Sequence, residues 1–494
     1  MNKLLIAVMT FVLTAATATA QDPKQVYTRP ALPPREALDR LNLKLGWYVG
    51  VPMDGTRDGI FTLQFAGRQI LVQTRSGLIL ALDRDTGQTL WRNRVGVPYE
   101  VSHPLGYNQK AVFVVHGTWL YALDRATGAL QWQFNLPDAA SAGPAADSEQ
   151  IYLGLNGGGL IVYLLPEVSR HQVTLTGIAA NKNYLPREER GKVTHAPTFY
   201  GGTSGTGAGI GPLASAAVAG RSRESGPQPV LRSTGRAGID VEQPPLLTNA
   251  EVLWAGANGT VAVVPKRTDI SLRPYRFLAE GRISVPPAQY GDTAYIAAHN
   301  GSLYALHIPS GKVLWRFTGG NPITQKPAVT NEDVYVAPDG SGLYRLDRLT
   351  GDTIWRNRTA ERFLAANPKF VYAADRHGRL MILDRARGTT LSVYDGTREF
   401  VWPISNEHTD RLYLAAHSGL LVCLHDRDYE APLVTKEDQE KLLAPPDQPQ
   451  ADAPFRPDQT VPTVPGDKPP GPPGDKPPAL PGEKMPEKPG APGG

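Results

Sequence analysis

The chain has 494 residues, of which 41% are hydrophobic and 20% charged, and its formal net charge is +4. This length is enough to bury a large core. The positive charge is weak and dispersed, and no run of lysines and arginines is interleaved with aromatic residues, so a nucleic-acid partner is not expected.

The first 20 residues have the pattern of a secretory signal peptide. Lys3 supplies a positive start, residues 4–13 form a short apolar stretch, and residues 18–20 form a small-residue cleavage site. Gln21 is therefore predicted to begin a mature protein that is exported, to the periplasm or outside the cell. No later stretch approaches the ~20 apolar residues of a transmembrane helix, so no membrane span is predicted.

Residues 21–43 are predicted to be an N-terminal linker, and a repeat follows. Tight hairpins are predicted inside each repeat, as at Asn300-Gly301 between two β-prone runs. Equivalent positions recur mostly about forty residues apart, at 83, 124, 165, 265, 307, 347, 384 and 425. This period is typical of four-stranded propeller blades. The predicted fold is an all-β, eight-bladed β-propeller of four-stranded antiparallel blades over residues 44–430, with degenerate third and fourth repeats.

Four repeats share the signature Ala-x-Asp-x-x-Thr-Gly-x-x-x-Trp, two of them with substitutions. They end at Trp91, Trp132, Trp315 and Trp355. The Thr-Gly pair is predicted to turn the chain from the third strand to the fourth, and the Asp to accept hydrogen bonds from turn amides. The Trp is large enough to lie between blades. These tryptophans, together with Trp47 in a strand-like run before the first repeat, are predicted to be structural blade-docking residues.

This signature resembles the tryptophan-docking motif of the pyrroloquinoline-quinone (PQQ)-type propeller repeat family, from about Trp47 to Leu424. The family contains periplasmic quinoprotein dehydrogenases and non-enzymatic scaffolds, including the outer-membrane-protein assembly propeller, which this chain resembles more. Ser392 stands where the seventh repeat should carry its Trp, and the eighth repeat lacks both the Gly and the Trp. The assembly propellers are typically lipoproteins, whereas here Gln21 replaces the Cys that a lipid anchor needs. We therefore do not expect this protein to be lipid-anchored.

The resemblance leaves an enzyme and a scaffold open, because one fold hosts many functions. A quinoprotein dehydrogenase would need a catalytic Asp, calcium and, in many members, a disulfide between adjacent cysteines. Cys423 is the single cysteine, and it is predicted to be a small buried hydrophobe. The repeated aspartates are explained by turns, which leaves no cluster of oxygen ligands for calcium. We expect no catalytic residue, no metal and no cofactor; PQQ and calcium belong only to the alternative, a periplasmic PQQ-dependent oxidoreductase.

Two segments depart from the repeat. The long interval between positions 165 and 265 predicts an inserted loop at residues 167–243, and its glycine-rich part, residues 201–212, lacks the spacing of a phosphate-binding loop. A flexible linker fits that part better. Residues 444–494 are rich in proline and are predicted to form a disordered tail.

Candidate binding residues occur just before the hairpin glycines. Arg75, His299, Arg376 and His417 each lie two positions ahead of a glycine, so they are predicted to ring one face of the propeller. Such a ring would suit an acidic peptide, a carboxylate or a phosphate-bearing envelope component, more strongly below about pH 6.5. The alternative is that hairpin ends simply tolerate solvated polar side chains.

The two ends of the repeat region complement each other. The eighth repeat lacks a Trp-bearing outer strand, and residues 44–52 form an unclaimed strand-like run. We therefore expect residues 44–52 to pair with the strand near residues 420–424 and close the ring. The sequence as a whole favours an exported, non-enzymatic and monomeric scaffold that binds another protein, one of the cell envelope, through its loops and rim.

Overall fold

The computed structural model describes residues 30–53, 58–168, 225–236, 239–266, 274–400 and 402–436. The predicted signal peptide, the glycine-rich segment at 201–212 and the proline-rich tail at 444–494 lie outside these ranges. Within them, no helix combines the length and apolarity needed to cross a membrane.

The strands form eight four-stranded antiparallel sheets, arranged as the blades of a β-propeller, which confirms the predicted fold class. A helix, α1 (Arg35–Arg40), and the strand β1 (Leu43–Gly50) come first. The four sheets that follow are blade 1, β2 (Ile60–Ala66), β3 (Gln69–Thr74), β4 (Leu78–Asp83) and β5 (Thr89–Arg94); blade 2, β6 (Gly106–Tyr107), β7 (Ala111–His116), β8 (Trp119–Asp124) and β9 (Leu130–Asn135); blade 3, β10 (Ala145–Ala146), β11 (Gln150–Leu155), β12 (Gly159–Leu164) and β13 (Val230–Arg236); and blade 4, β14 (Leu246–Leu247), β15 (Glu251–Ala255), β16 (Thr260–Pro265) and β17 (Tyr275–Leu278).

The second half of the ring has the same plan, with a short 3-10 helix at Asp395–Thr397. Its sheets are blade 5, β18 (Ala288–Tyr290), β19 (Thr293–Ala297), β20 (Ser302–His307) and β21 (Lys312–Thr318); blade 6, β22 (Ala328–Val329), β23 (Asp333–Val336), β24 (Leu343–Asp347) and β25 (Thr353–Asn357); blade 7, β26 (Ala360–Ala366), β27 (Phe370–Asp375), β28 (Leu380–Asp384) and β29 (Thr390–Tyr394); and blade 8, β30 (Trp402–Ile404), β31 (Leu412–Ala415) and β32 (Leu420–Asp426), completed by β1.

Blade 8 is built from both ends of the propeller sequence. β1 is its outermost strand and pairs antiparallel with β32, with Leu43 opposite Asp426 and Gly50 opposite Leu420. The predicted closure is therefore confirmed. The pairing satisfies backbone groups along β32 that would otherwise form an open sheet edge.

The core lies between blades rather than inside one sheet, because each sheet buries its faces against its neighbours. At the junction of blades 1 and 2, the Trp91 side chain is 6% exposed and its indole N–H donates to the Arg125 carbonyl at 2.8 Å. The indole ring of Trp91 covers Gly128, where a Cβ would lie 2.3 Å from Trp91 Cε3. Gly128 also has a φ of +71°, so glycine is required there for backbone and for packing.

The same contact recurs around the ring. A tryptophan of one blade covers the turn glycine of the next, in the pairs Trp47 with Gly87, Trp315 with Gly351 and Trp355 with Gly388. The predicted docking residue Trp132 is likewise buried, at 3% exposure. Asp124 accepts hydrogen bonds from the amides of Ala126 and Thr127, so it serves the turn as the motif predicted.

Three features differ from the sequence predictions. The range predicted as an inserted loop, 167–243, contains β13, the outer strand of blade 3, so the insertion separates β12 from β13. The range predicted as a linker, 21–43, contains α1, whose Leu38 is buried against blades 7 and 8. In the degenerate fourth repeat, Tyr275 replaces the docking tryptophan: its ring covers Gly311 and its hydroxyl donates to the Ile308 carbonyl.

We predict that Trp91→Ala lowers the free energy of unfolding by about 3–5 kcal/mol, because it leaves a cavity and removes the indole hydrogen bond. Chemical denaturation measures this loss. Leu90→Ala, at a neighbouring position of β5 that is 44% exposed, is the matched control and should have little effect. Equal stability of the Trp91→Ala and parent chains would contradict the docking role.

We also predict that deleting residues 21–52 lowers the melting temperature of the whole ring, because blade 8 then loses its outer strand. A chain that lacks only residues 21–29 keeps α1 and β1 and should melt like the parent. If both deletions melt alike, β1 does not hold the ring together.

Candidate functional site

The four predicted rim residues lie at one end of the blades. Arg75, His299, Arg376 and His417 each lie in, or directly beside, the hairpin between the second and third strands of a blade: β3–β4, β19–β20, β27–β28 and β31–β32. Since equivalent hairpins of a propeller lie on one side, these residues share a surface, which we call the hairpin face.

The side chains of these four residues make different contacts. Arg376 pairs with Glu361 at 3.1 Å, and His299 Nε2 lies 2.7 Å from the Ser284 hydroxyl, so both have side-chain partners. His417 and Arg75 lie on the adjacent blades 8 and 1 and interact electrostatically. Burial and the Arg75 charge lower the pKa of His417 below its ordinary value. The structure thus groups Arg75 with His417 and gives Arg376 and His299 other contacts.

A loop with three exposed apolar side chains, which no sequence pattern indicated, lies beside this pair. Residues 97–101 connect blade 1 to blade 2, and the side chains of Val97, Tyr99 and Val101 are 57%, 56% and 71% exposed. The loop is held on both sides, because the Tyr99 N–H donates to the Arg75 carbonyl at 3.1 Å and the Gly117 N–H donates to the Val101 carbonyl at 2.7 Å. These apolar groups are therefore presented to solvent by a fixed backbone.

Tyr99 has an unusual backbone conformation. Its φ is +69°, in the left-handed region that an aromatic residue rarely adopts. Such strain persists only where the surroundings impose it, and it is concentrated at functional sites. Here the hydrogen bond from the Tyr99 N–H to the Arg75 carbonyl is one of the contacts that hold this conformation.

Three other exposed apolar side chains have a different distribution. Leu90, Leu314 and Ile354 lie singly on the outer strands of separate blades, at 44–49% exposure. Scattered residues of this kind are normal on protein surfaces, whereas a contiguous exposed group marks an interaction site. The 97–101 loop is such a group.

Arg75 differs from two other arginines of the hairpin face in its ion pairing. Arg282 and Arg316 pair with Glu242 and Glu280 at 2.9 and 2.6 Å. Within the described part of the chain, Arg75 forms no ion pair and its side chain is exposed. We call the 97–101 loop together with Arg75 and His417 the loop patch. It combines apolar and aromatic contact area with an available positive charge, the composition of a protein-binding surface.

A cavity of about 1070 Å³ is lined by inner strands of blades 1, 2, 3, 4, 5 and 8 and by turns at the opposite face. Its wall includes seven prolines and the apolar side chains Ile60, Leu63, Phe65, Leu105 and Ile404. A cavity of this size lies just above the ~300–1,000 Å³ range of ligand sites.

The carboxylates of this cavity are already paired. Asp147 bonds to Lys266 at 2.9 Å, Glu167 to Lys110 at 3.0 Å, and Glu407 to a lysine pair. In the described ranges, no three or more His, Cys, Asp or Glu side chains converge as a metal site would require. Calcium needs six to eight oxygen ligands, so these residues do not fit the ion that a quinoprotein dehydrogenase would use.

Glu407 is the centre of a buried charge cluster. Lys326 and Lys436 lie 3.3 and 3.0 Å from its Oε1, and Oε2 accepts the Val329 N–H at 2.9 Å. Burial alone would raise the pKa of Glu407, but the two ammonium groups and the hydrogen bond outweigh it and hold the pKa far below its usual range. Burial lowers the pKa of Lys436; Glu407 opposes this shift and Lys326 adds to it, because two lysines share one carboxylate.

We predict that Glu407→Gln costs about 3–5 kcal/mol at pH 7, because it leaves Lys436 buried without its counter-ion. A carboxylate with a depressed pKa in the folded state stabilises above its unfolded pKa of about 4.3, so the difference from the parent should shrink as the pH falls below about 4. Urea unfolding across pH measures this. Glu430→Gln, which breaks an exposed ion pair with Lys44, is the control and should cost at most about 1 kcal/mol. A pH-independent loss at Glu407 would contradict the assignment.

Solved structures resemble this chain at low sequence identity. The crystal structure of BamB from Moraxella catarrhalis aligns with a TM-score of 0.53 and 14% identity, over 78% of this chain and 98% of that one. The computationally designed Ika8 protein aligns with a TM-score of 0.49 and 13% identity, over 76% and 98%. A search of curated protein sequences found no significant match.

A family model gives the stronger result. The PQQ_2 model, described as outer membrane protein assembly factor BamB, matches residues 36–203 and 248–451. These two regions contain strands of all eight blades and cover well over half of the chain. The chain therefore belongs to the PQQ_2 family of β-propellers, the family of the outer membrane protein assembly factor BamB.

Proposed function

We propose that this protein is an exported, non-enzymatic scaffold that binds a protein of the cell envelope through the loop patch. The observation that carries the proposal is the 97–101 loop, whose three exposed apolar side chains are anchored beside Arg75. Family membership supports a role in outer membrane protein assembly and a periplasmic location. The predicted signal peptide at residues 1–20, and Gln21 in place of a lipidated Cys, support a protein without a lipid anchor.

The side chains of the loop patch indicate which side chains a partner segment should carry. Tyr99 and the two valines suit a partner segment with apolar side chains, and Arg75 suits a neighbouring carboxylate on that segment. Aromatic residues and arginine are the side chains that most often dominate binding energy at protein interfaces. Protonation of His417 adds a second positive charge, so binding to an acidic segment should strengthen as the pH falls below the lowered pKa of His417.

The PQQ-dependent oxidoreductase has no comparable support. It would require a calcium-binding carboxylate set and a quinone site, and the carboxylates of the described cavity are neutralised by lysines. The scaffold is therefore the function we propose, with neither PQQ nor metal as a cofactor.

A binding experiment on the full-length chain tests the proposal. A photo-crosslinking amino acid at position 99 should trap one envelope protein in cells, and the same group at position 278, a 68% exposed site on the outer strand of blade 4, should not. With the trapped partner purified, Arg75→Glu should weaken binding by about 2 kcal/mol, roughly thirtyfold, if Arg75 is a hot spot. Arg316→Glu is the matched charge reversal on the same face and should have a smaller effect.

The strained position offers a second prediction. Tyr99→Gly removes the aromatic anchor and also relieves the positive φ, so we expect the variant to lose partner binding while its stability rises by about 1 kcal/mol. Calorimetry and binding titration on the same sample measure both quantities. Unchanged partner affinity would contradict the role of the loop patch, whatever the change in stability.

A further inference from the structure

The cavity has a rigid apolar wall on the side of blades 3, 4 and 5. The inner strands of these blades are each entered through a proline that belongs to the wall: Pro144 precedes β10, Pro245 precedes β14 and Pro287 precedes β18. Proline fixes the backbone angle φ and carries no N–H, so this side offers no hydrogen-bond donor and little freedom. A wall of this kind is formed before a ligand arrives, which lowers the entropic cost of binding.

Apolar side chains of blades 1 and 8 form another part of the wall. Leu63 and Phe65 lie on β2, and Ile404 ends β30. The Phe65 ring is held among other rings, with centroid distances of 6.3 Å to His408 and 5.1 Å to Tyr413. Because His408 directly follows Glu407, this apolar surface adjoins the buried charge cluster.

The charges of the cavity wall do not cancel at that cluster. The other two carboxylates of the wall each have a lysine partner, at 2.9 and 3.0 Å. Lys326 and Lys436 share the single carboxylate of Glu407, so one positive charge remains among these described groups. The Lys436 side chain is 5% exposed and the Lys326 side chain 47%, so the excess charge is accessible at Lys326.

These features indicate the chemistry of a ligand. A lysine ammonium has three N–H donors, and the bond from Lys326 to Glu407 uses one of them. An anionic oxygen can accept another, and this charge-assisted bond is among the stronger hydrogen bonds. The proline wall and Phe65 can then bury an apolar body, at roughly 25 cal/mol for each Å² removed from water.

We propose that the cavity binds a small amphipathic carboxylate, with its carboxylate on Lys326 and its apolar body between the proline wall and Phe65. Medium-chain fatty acids have this chemistry. The site lies on the face opposite the loop patch and goes beyond the proposed function, and it uses a lysine rather than calcium to hold the carboxylate.

Calorimetric titration of the full-length chain tests the proposal, with octanoate as the probe and 1-octanol as its uncharged match. Octanoate should bind saturably without added calcium. It should bind at least about tenfold more tightly than 1-octanol, because only the carboxylate forms a charge-assisted bond with Lys326. Equal affinity for the two probes, or no saturable binding of octanoate, would overturn the proposal.

Lysine variants test the assignment of the charge. Lys326→Gln should weaken octanoate binding about tenfold and leave 1-octanol binding unchanged. This variant should stay folded, because Lys436 keeps Glu407 as its partner. Lys369→Gln, which breaks an exposed ion pair with Asp428 outside the cavity wall, is the matched control and should bind octanoate like the parent. An unchanged octanoate affinity of Lys326→Gln would show that Lys326 does not hold the carboxylate.

A bulky substitution tests the location. Ser405 is exposed and belongs to the cavity wall beside Ile404, so Ser405→Trp should obstruct the cavity and abolish binding of both probes. Arg75→Glu, in the loop patch, should leave octanoate binding unchanged, so this proposal and the proposed function can fail independently. If Ser405→Trp binds both probes like the parent, the ligand lies elsewhere and the cavity site is wrong.

Discussion

The contact between a tryptophan and the turn glycine of the next blade is the interaction on which the ring depends. Each such contact fixes two neighbouring blades, because the indole covers the glycine and its N–H binds a carbonyl of the same turn, as Trp91 does with Gly128 and Arg125. The contact is local to a pair of blades, so its repetition sets the arrangement of the whole propeller. Loops on either face can then vary without disturbing the core.

Much of this architecture could be read from the sequence because its signals are periodic. The Gly and Trp recur together in four repeats, three of which also carry the Asp, and their roles follow from turn chemistry and side-chain size. Tyr275 was missed because it lies ten positions after residue 265, whereas Trp91 lies eight after residue 83. The strand β13 was missed because a long insertion separates it from β12 and it carries no tryptophan.

The candidate site was harder to predict. Arg75 and His417 were found because they occupy equivalent hairpin positions. The 97–101 loop carries valines and a tyrosine, which look like strand residues in a sequence. Their exposure depends on hydrogen bonds to Arg75 and Gly117, contacts that exist only after two blades are packed. The Glu407 cluster joins side chains from three distant segments, so no local sequence pattern indicates it.

Blade 8 also limits when folding of the propeller can be completed. Asn42 beside β1 bonds to Asp426 of β32 across 384 positions, so this sheet cannot be completed until nearly the whole propeller sequence is available. Contacts this distant in sequence form slowly, because a very long loop must close first. Until then β1 is an unpaired strand, and unpaired edges are sites of aggregation. The pairing of β1 with β32 therefore also removes an exposed strand from the folded chain.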